Sequence, residues 1–392
     1  MADIFKPEKG TQVLDAVKWA VSNKASLEII GQGTKRGLGR AVEAKAVLDM
    51  SNISGITLYE PEELVMTARA GTPLTEVQAA LDDANQMLAF EPWSPKSIYG
   101  AEGGTVGGMF AANVSGPRRI LAGAARDHML GFKAVSGRGE DFKSGGRVVK
   151  NVTGFDLTKL MAGSMGTLGV MTEVSFKVLP KPEKSRTVLL FGASSETKAM
   201  IAAQSSPYEV SGYAHLPRSM AERSSVDYVK NAGQDVTAFR IEGPAPSVTV
   251  RCEALRKLLA PLGESVEELH TTNSQALWAE IRDVSYFTPE KQIWRLSVTP
   301  SEGPEIAKSL NGEYVLDWAG GLIWLALDPS DDAEVDKVRG AMQSGHATCM
   351  RAADAVRAKI DVFQPQDTAL AALTKRVRAG FDPHGIFNPG RV

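Results

Sequence analysis

Hydrophobic spacing changes twice near the start of the chain. TQVLDAVKWAVSNK carries apolar side chains at Val13, Ala16, Val17, Ala20 and Val21, the spacing of one helical face, and LEII at 27–30 is a continuous apolar run of strand type leading straight into GQGTKRGLG. The runs AVLDM, ITLY and LVMTARAG predict further strands, and PLTEVQAALDDANQ predicts a helix with Thr72 as its cap and Pro73 at its first position. HMLGFKAVS and VSFKVLP predict strands on either side of VVKNVTGFDLTKLMAGSMGTLGV, and TVGGMFAAN can begin a helix. This mixture of strands and helices predicts an α+β fold. PKPEKS, residues 180–185, follows the last of these strands and reads as a domain exit. No solenoid-type repeat and no low-complexity tract interrupts the chain.

Composition narrows the function classes. With 392 residues, 43% of them hydrophobic and 23% charged, the chain has room for two or three globular domains. A formal net charge of -2 without a long like-charge block gives no basic field, so nucleic acid is not an expected partner. The opening MADIFKPEKG lacks an apolar targeting segment and the most apolar short run, LIWLAL, is too short to span a bilayer; a cytoplasmic location is expected. Cys252 and Cys349 are the only cysteines, which leaves no disulfide framework, no CxxC zinc pattern and too few thiolates for an iron–sulfur cluster. A one-electron carrier of that kind has to come from a partner.

Glycine is concentrated in the first half, where 23 of the 37 glycines lie within residues 1–183. The first loop, GQGTKRGLG, does not meet the dinucleotide fingerprint GxGxxG, because the residues after Gly33 contain two further glycines and no apolar helical face. A different use fits better. Successive N–H groups in tight turns form a nest for an anion such as a diphosphate, and residues 31–35 and 103–108 are two such stretches, with a third glycine cluster at GSMGTLG. Ordinary glycine-rich turns are the alternative for each loop taken alone.

Together, GTPLTEVQAAL, AEGGTVGGM, SGPRR, ARDHMLGFK, GGRVVKNVTGFDLTKLMAGSMGTLGVMTEVSFKVLPKP, LDWAGGLIWL, SGHAT and FDPHGIFNPGRV resemble the FAD-binding subunits of bacterial glycolate oxidases, within the vanillyl-alcohol-oxidase or PCMH-type FAD-binding fold. The resemblance implies an FAD-binding domain at 1–183, an α+β cap at 184–350, and a C-terminal segment at 351–392 that returns to the first domain. It implies that FAD is held by Gly31, Gln32, Gly33, Thr34 and Lys35 of the first loop, by Gly104, Thr105, Gly107 and Gly108 of the second, and by Gly166, Thr167, Gly169 and Val170 along the cofactor. Asn388 and Arg391 either return to the flavin edge or belong to a well-packed terminus. Neither glycine loop contains His or Cys, so non-covalent FAD is expected.

Catalytic residues are harder to name. Oxidising a 2-hydroxy acid needs a hydride acceptor, a base or metal for the hydroxyl proton and a cation for the carboxylate. Relatives that oxidise 2-hydroxy acids carry paired cap histidines around a metal, whereas SGHAT offers His346 alone. His346 is therefore the one weak catalytic candidate, with no metal site expected. His128, His215 and His384 have ordinary structural alternatives. Arg118 and Arg119 face an anionic substrate, a partner subunit or solvent. The reading that follows is an FAD-bearing subunit of a complex oxidising glycolate or a related 2-hydroxy acid, with a larger FAD-containing subunit and an iron–sulfur subunit as partners and peripheral attachment at the inner membrane through them. A self-sufficient FAD-dependent 2-hydroxy acid dehydrogenase and a non-catalytic scaffold subunit are the alternatives.

Overall fold

Val13, Ala16, Val17 and Ala20 form the buried face of helix α1 (Gly10–Ser22) in the computed structural model, which describes residues 3–147 and 154–392. They pack with a small parallel sheet of β1 (Asp3–Phe5), β2 (Leu27–Ile30) and β3 (Ala46–Asp49), ordered β1-β3-β2. The tail extends the free edge of β2. Phe387 bridges Leu27 in parallel, the Leu27 N–H donates to the Ile386 carbonyl at 2.7 Å, and the Asn388 N–H donates to the Leu27 carbonyl at 2.9 Å. Ile386 and Phe387 thereby join the apolar core of α1, β2 and β3.

A second, antiparallel sheet holds β4 (Ile56–Glu60), β5 (Val65–Arg69), β6 (Met129–Val135), β7 (Asp141–Gly145) and β8 (Val170–Lys177), ordered β4-β5-β8-β6-β7. Helix α2 (Leu74–Asp83) follows β5, but its start differs from the sequence expectation. Pro73 occupies the cap position, and Thr72 is buried with its hydroxyl accepting from the Gly55 N–H at 2.9 Å and donating to the Gly55 carbonyl at 3.2 Å. A buried hydroxyl needs its own partners, and Gly55 supplies them before the helix can. The short helix α3 (Val106–Ala111) packs Val106, Met109 and Phe110 into the core behind this sheet.

From Lys184 onward the chain builds one eight-stranded antiparallel sheet: β9 (Lys184–Phe191), β10 (Gly212–Leu216), β11 (Val236–Gly243), β12 (Ser265–Leu269), β13 (Gln292–Ser297), β14 (Glu313–Asp317), β15 (Leu322–Leu327) and β16 (His346–Arg351). Their order is β12-β9-β11-β10-β14-β15-β13-β16. LIWLAL is β15, every residue of which is buried, and this explains an apolar run without alternation. Helix α4 (Ala245–Leu259) covers one face with Val248, Cys252, Leu255 and Leu259, while Leu277 and Trp278 of α5 (Thr271–Asp283) join the core shared with the first half. Among the described residues no helix is long and apolar enough to cross a membrane.

Candidate functional site

Strand β2 delivers Ile29 and Ile30 to the mouth of a cleft and then gives way to residues 31–39, none of which is helical. In this loop the N–H groups of Gly33, Thr34 and Lys35 have no acceptor among the described residues. Gly33 adopts φ +71°, the left-handed conformation that the turn requires. The Gln32 side chain reaches across to the second loop, where its Oε1 accepts from the Gly104 N–H at 2.6 Å. Lys35 lies between the loops. Its Nζ is 3.5 Å from Thr34 Oγ1 and forms no ion pair among the described residues, and burial pushes the ammonium down to about 8.

The second loop contributes less free backbone than its glycines suggest. Thr105 caps α3, with its Oγ1 accepting from Gly108 N–H at 3.2 Å, and Gly107 N–H donates to the Ala70 carbonyl at 2.8 Å. A Cβ on Gly107 would stand 2.8 Å from Ala70 Cβ and 3.0 Å from its carbonyl oxygen. Gly107 therefore permits α3 to press against β5, and its amide, like that of Gly104, is already used within the protein. Gly108, Ala111 and Ala112 present a smooth small-residue wall to the cleft.

The opposite wall carries Met165, Gly166 and Gly169. Thr167 lies outside the lining and turns its hydroxyl to the Ser164 carbonyl at 2.8 Å, while Val170 is buried in the core of the first sheet. Asn388 lines the cleft but has both ends of its side chain engaged: Oδ1 accepts from Ile29 N–H at 2.8 Å and Nδ2 donates to the Met165 carbonyl at 2.7 Å. Arg391 donates to the Lys35 carbonyl at 2.8 Å. The tail thus clamps the walls. Sequence reading named the polar and glycine residues but missed Ile29, Ile30, Ala111, Ala112 and Met165, whose apolar character carries no motif.

The chemistry of this cleft fits FAD. Free amides and one uncompensated ammonium sit where a diphosphate can be received, and small or apolar side chains line the space for flat ring systems. The arginines of SGPRR separate. Arg118 belongs to a buried ion cluster, donating from Nη2 to Glu242 at 2.8 Å and from its backbone N–H to Glu91 at 2.8 Å, whereas Arg119 makes no side-chain hydrogen bond among the described residues.

The histidines do not converge on the cleft. His346 is exposed at the start of β16, an edge strand, and His384 is exposed in the tail. His128 is buried with Nε2 against the Ala122 carbonyl at 2.9 Å, and His215 is buried with Nδ1 against Thr237 Oγ1 at 2.9 Å. No group of three or more His, Cys, Asp or Glu side chains is arranged for a metal among the described residues. Residues 148–153 of the VVKNVTGFDL run lie outside the described residues.

A family model described as an FAD binding domain matches residues 2–144. Glycolate oxidase subunit GlcE of Escherichia coli (strain K12) is 36% identical over 384 residues, which covers 97% of this chain and 96% of that protein. The chain belongs to the GlcE family. Glycolate oxidase subunit GlcD of Bacillus subtilis (strain 168) is 33% identical over 41% of the chain and 33% of its own length. The GlcE-family fold is of the PCMH type: p-cresol methylhydroxylase with substrate bound superposes with a TM-score of 0.69 over 99% of this chain and 88% of that one, at 13% identity. FAD is the cofactor of this GlcE-family chain, an FAD-dependent oxidoreductase.

Proposed function

We propose that this GlcE-family chain is the FAD-bearing subunit of a complex that oxidises glycolate or a related 2-hydroxy acid to the 2-oxo acid. The observation that carries the reading is the cleft between residues 31–35 and α3, rimmed by free amides and Lys35, in a chain similar to GlcE along nearly its whole length. When bound, FAD supplies the acceptor for the hydride from the hydroxyl-bearing carbon. The amides of Gly33, Thr34 and Lys35 and the Lys35 ammonium hold its diphosphate; Gly31, Gln32, Gly104, Thr105 and Gly108 shape the same cradle, Gly107 sets the position of α3, and Gly166 and Gly169 leave room beside it. Asn388 holds the two walls at their spacing. The FAD-binding domain is 1–183, the cap 184–350, and 351–392 the returning segment.

The partners are a larger FAD-containing subunit and an iron–sulfur subunit, and the assembly works in the cytoplasm at the inner-membrane surface. His346, exposed on an edge strand, leaves hydroxyl deprotonation to the larger subunit. Anaerobic titration of the purified chain and of the reconstituted complex with glycolate tests this assignment. Flavin absorbance is expected to bleach in the complex and not in the lone chain; rapid bleaching of the lone chain that His346→Ala abolishes would replace it with a self-sufficient dehydrogenase.

A further inference from the structure

Arg119 and Arg295 converge on one indole. The guanidinium carbon of Arg119 lies 4.6 Å from the centre of the Trp318 ring and that of Arg295 lies 5.0 Å from it, so two cations from opposite halves of the chain share a single aromatic platform. Like charges brought this close repel, and each needs a counter-charge. None is built in. Neither guanidinium forms an ion pair or a side-chain hydrogen bond among the described residues, although both side chains are half-buried and their nitrogens are not sealed from solvent.

The nearby carboxyls are otherwise engaged. Asp127 caps the Ala124 N–H at 2.9 Å and lies 3.7 Å from Lys159. Glu91 and Glu242 are taken up by Arg118 and Arg240. Asp317 is buried, accepts from the Trp318 N–H at 2.7 Å, and burial pushes it up to about 7, so it brings only part of a charge at neutral pH. Burial, with Arg119 adding repulsion, pushes Arg295 down to about 10. The backbone bends to make this arrangement, since Trp318 and Ala319 both take the left-handed conformation, at φ +53° and +57°. Two such residues in succession are strained and persist where the surroundings enforce them.

The indole is tied to the chain segment that leaves the cofactor cleft, although neither it nor the two guanidiniums line that cleft. Ala112 ends the small-residue wall, and four positions on, the Gly116 carbonyl accepts from Trp318 Nε1 at 3.2 Å. Arg119 opens the helical turn that follows. Arg295 comes from β13 and Trp318 from the turn between β14 and β15, so the eight-stranded sheet supplies the far side.

We propose that Arg119 and Arg295, stacked on Trp318, form a carboxylate subsite in this subunit that takes a small 2-hydroxy or 2-oxo acid anion. A planar guanidinium fork matches a carboxylate through two parallel N–H···O bonds, and a second guanidinium on the same indole supplies the remaining positive charge. The ligand class rests on the function proposed above; the anion site itself does not. Binding and turnover are separate here, because the subsite anchors the carboxylate and provides no base for the hydroxyl.

Calorimetric titration of the purified, flavin-loaded chain with oxalate, a two-carbon carboxylate analogue, tests the subsite without relying on activity. Arg119→Met and Arg295→Met keep most of the apolar stem, and each is expected to weaken oxalate binding about tenfold or more, in line with the loss of a charge-assisted hydrogen bond. Arg376→Met, on an exposed helix, should leave it unchanged, with flavin content and melting temperature alike in all variants. Absence of oxalate binding to the unaltered chain, or equal affinity in all variants, overturns the subsite even where the complex oxidises glycolate. Weakened binding in the two variants supports it even where the complex proves inactive toward glycolate, and that second result counts against the functional reading alone.

Discussion

Glu91 and Arg240 meet through two parallel hydrogen bonds of 2.8 Å that tie the first half of the chain to the eight-stranded sheet. Arg118 and Glu242 extend the pair into a four-residue cluster, and Arg240 stacks on Trp278 with its guanidinium carbon 4.5 Å from the ring centre. Only 3% of the Arg240 side chain is exposed, so water cannot replace a lost partner.

Removing one member is therefore expected to be expensive. Glu91→Ala should destabilise the folded chain by about 3–5 kcal/mol, because it strands a buried guanidinium, whereas the double change Glu91→Met with Arg240→Met should cost much less. Denaturant melts of both variants check this. Burial opposes ionisation of Glu91, yet Arg240 and Arg118 overcome it and hold the carboxyl down at about 2 instead of 4.5. The stabilisation is present above pH 4.5 and is lost as pH falls through about 2. Acid unfolding of Glu91→Gln should show a flatter pH dependence in that window.

Lys35 gives two pH dependences of opposite sign. In the flavin-free chain its ammonium is held down at about 8 from 10.5 by burial, so this group's stability contribution is complete above 10.5 and is lost as pH falls through 8. A diphosphate beside it favours the charged form, so FAD affinity should fall as pH rises from 7 toward 10 while flavin-free stability gains. Lys35→Met should flatten both curves. Fluorescence titration of FAD across this range and parallel thermal melts are the measurements.

The two glycine loops should respond differently to substitution. Gly33 has no atom nearer than 3.9 Å to an added Cβ, so the steric cost of Gly33→Asp is confined to the left-handed backbone, about 1–2 kcal/mol, while the change carries a carboxylate into the amide cradle; flavin content should drop several-fold with a melting temperature lowered by only a few degrees. Gly107→Ala should behave in reverse. Its methyl collides with Ala70, and overpacking costs about 1–3 kcal/mol even where flavin is retained. Flavin-to-protein absorbance ratios and melts of the two variants separate the roles.

Acid precipitation is expected to release FAD into the supernatant. The cleft is lined by no histidine and no cysteine among the described residues, and His128 and His215 are occupied in the core. Yellow colour retained in the denatured pellet would count against non-covalent binding.

What the sequence reveals depends on how local the cause is. The buried face of α1 follows from spacing within one helix, and the glycine stretches follow from a backbone requirement at the residues themselves. The place of Thr72 is not legible locally, because its hydroxyl answers to Gly55, seventeen positions away, and not to the helix it precedes. Gly107 has the same residue type as Gly33 and a different purpose, since the reason for it is Ala70 in the turn that follows β5. LIWLAL could be recognised as apolar, but a short buried strand and a short buried helix look alike until the neighbours at β13 and β14 are known. Arg119, Arg295 and Trp318 come from three separate segments, and no pattern along the chain connects them.

The hydrogen bond between Ile29 and Asn388 joins positions 359 residues apart. At a translation rate of about 5–20 residues per second, β2 leaves the ribosome roughly 20–70 s before its tail partner has been made. Through that interval the strand edge meant for residues 386–388 is bare, and the walls beside Ile29 and Met165 lack the side chain that spaces them. The part of the chain synthesised first is consequently the part completed last, so FAD is expected to load late in biogenesis, and nascent chains halted within residues 184–350 would be caught without a finished place for it.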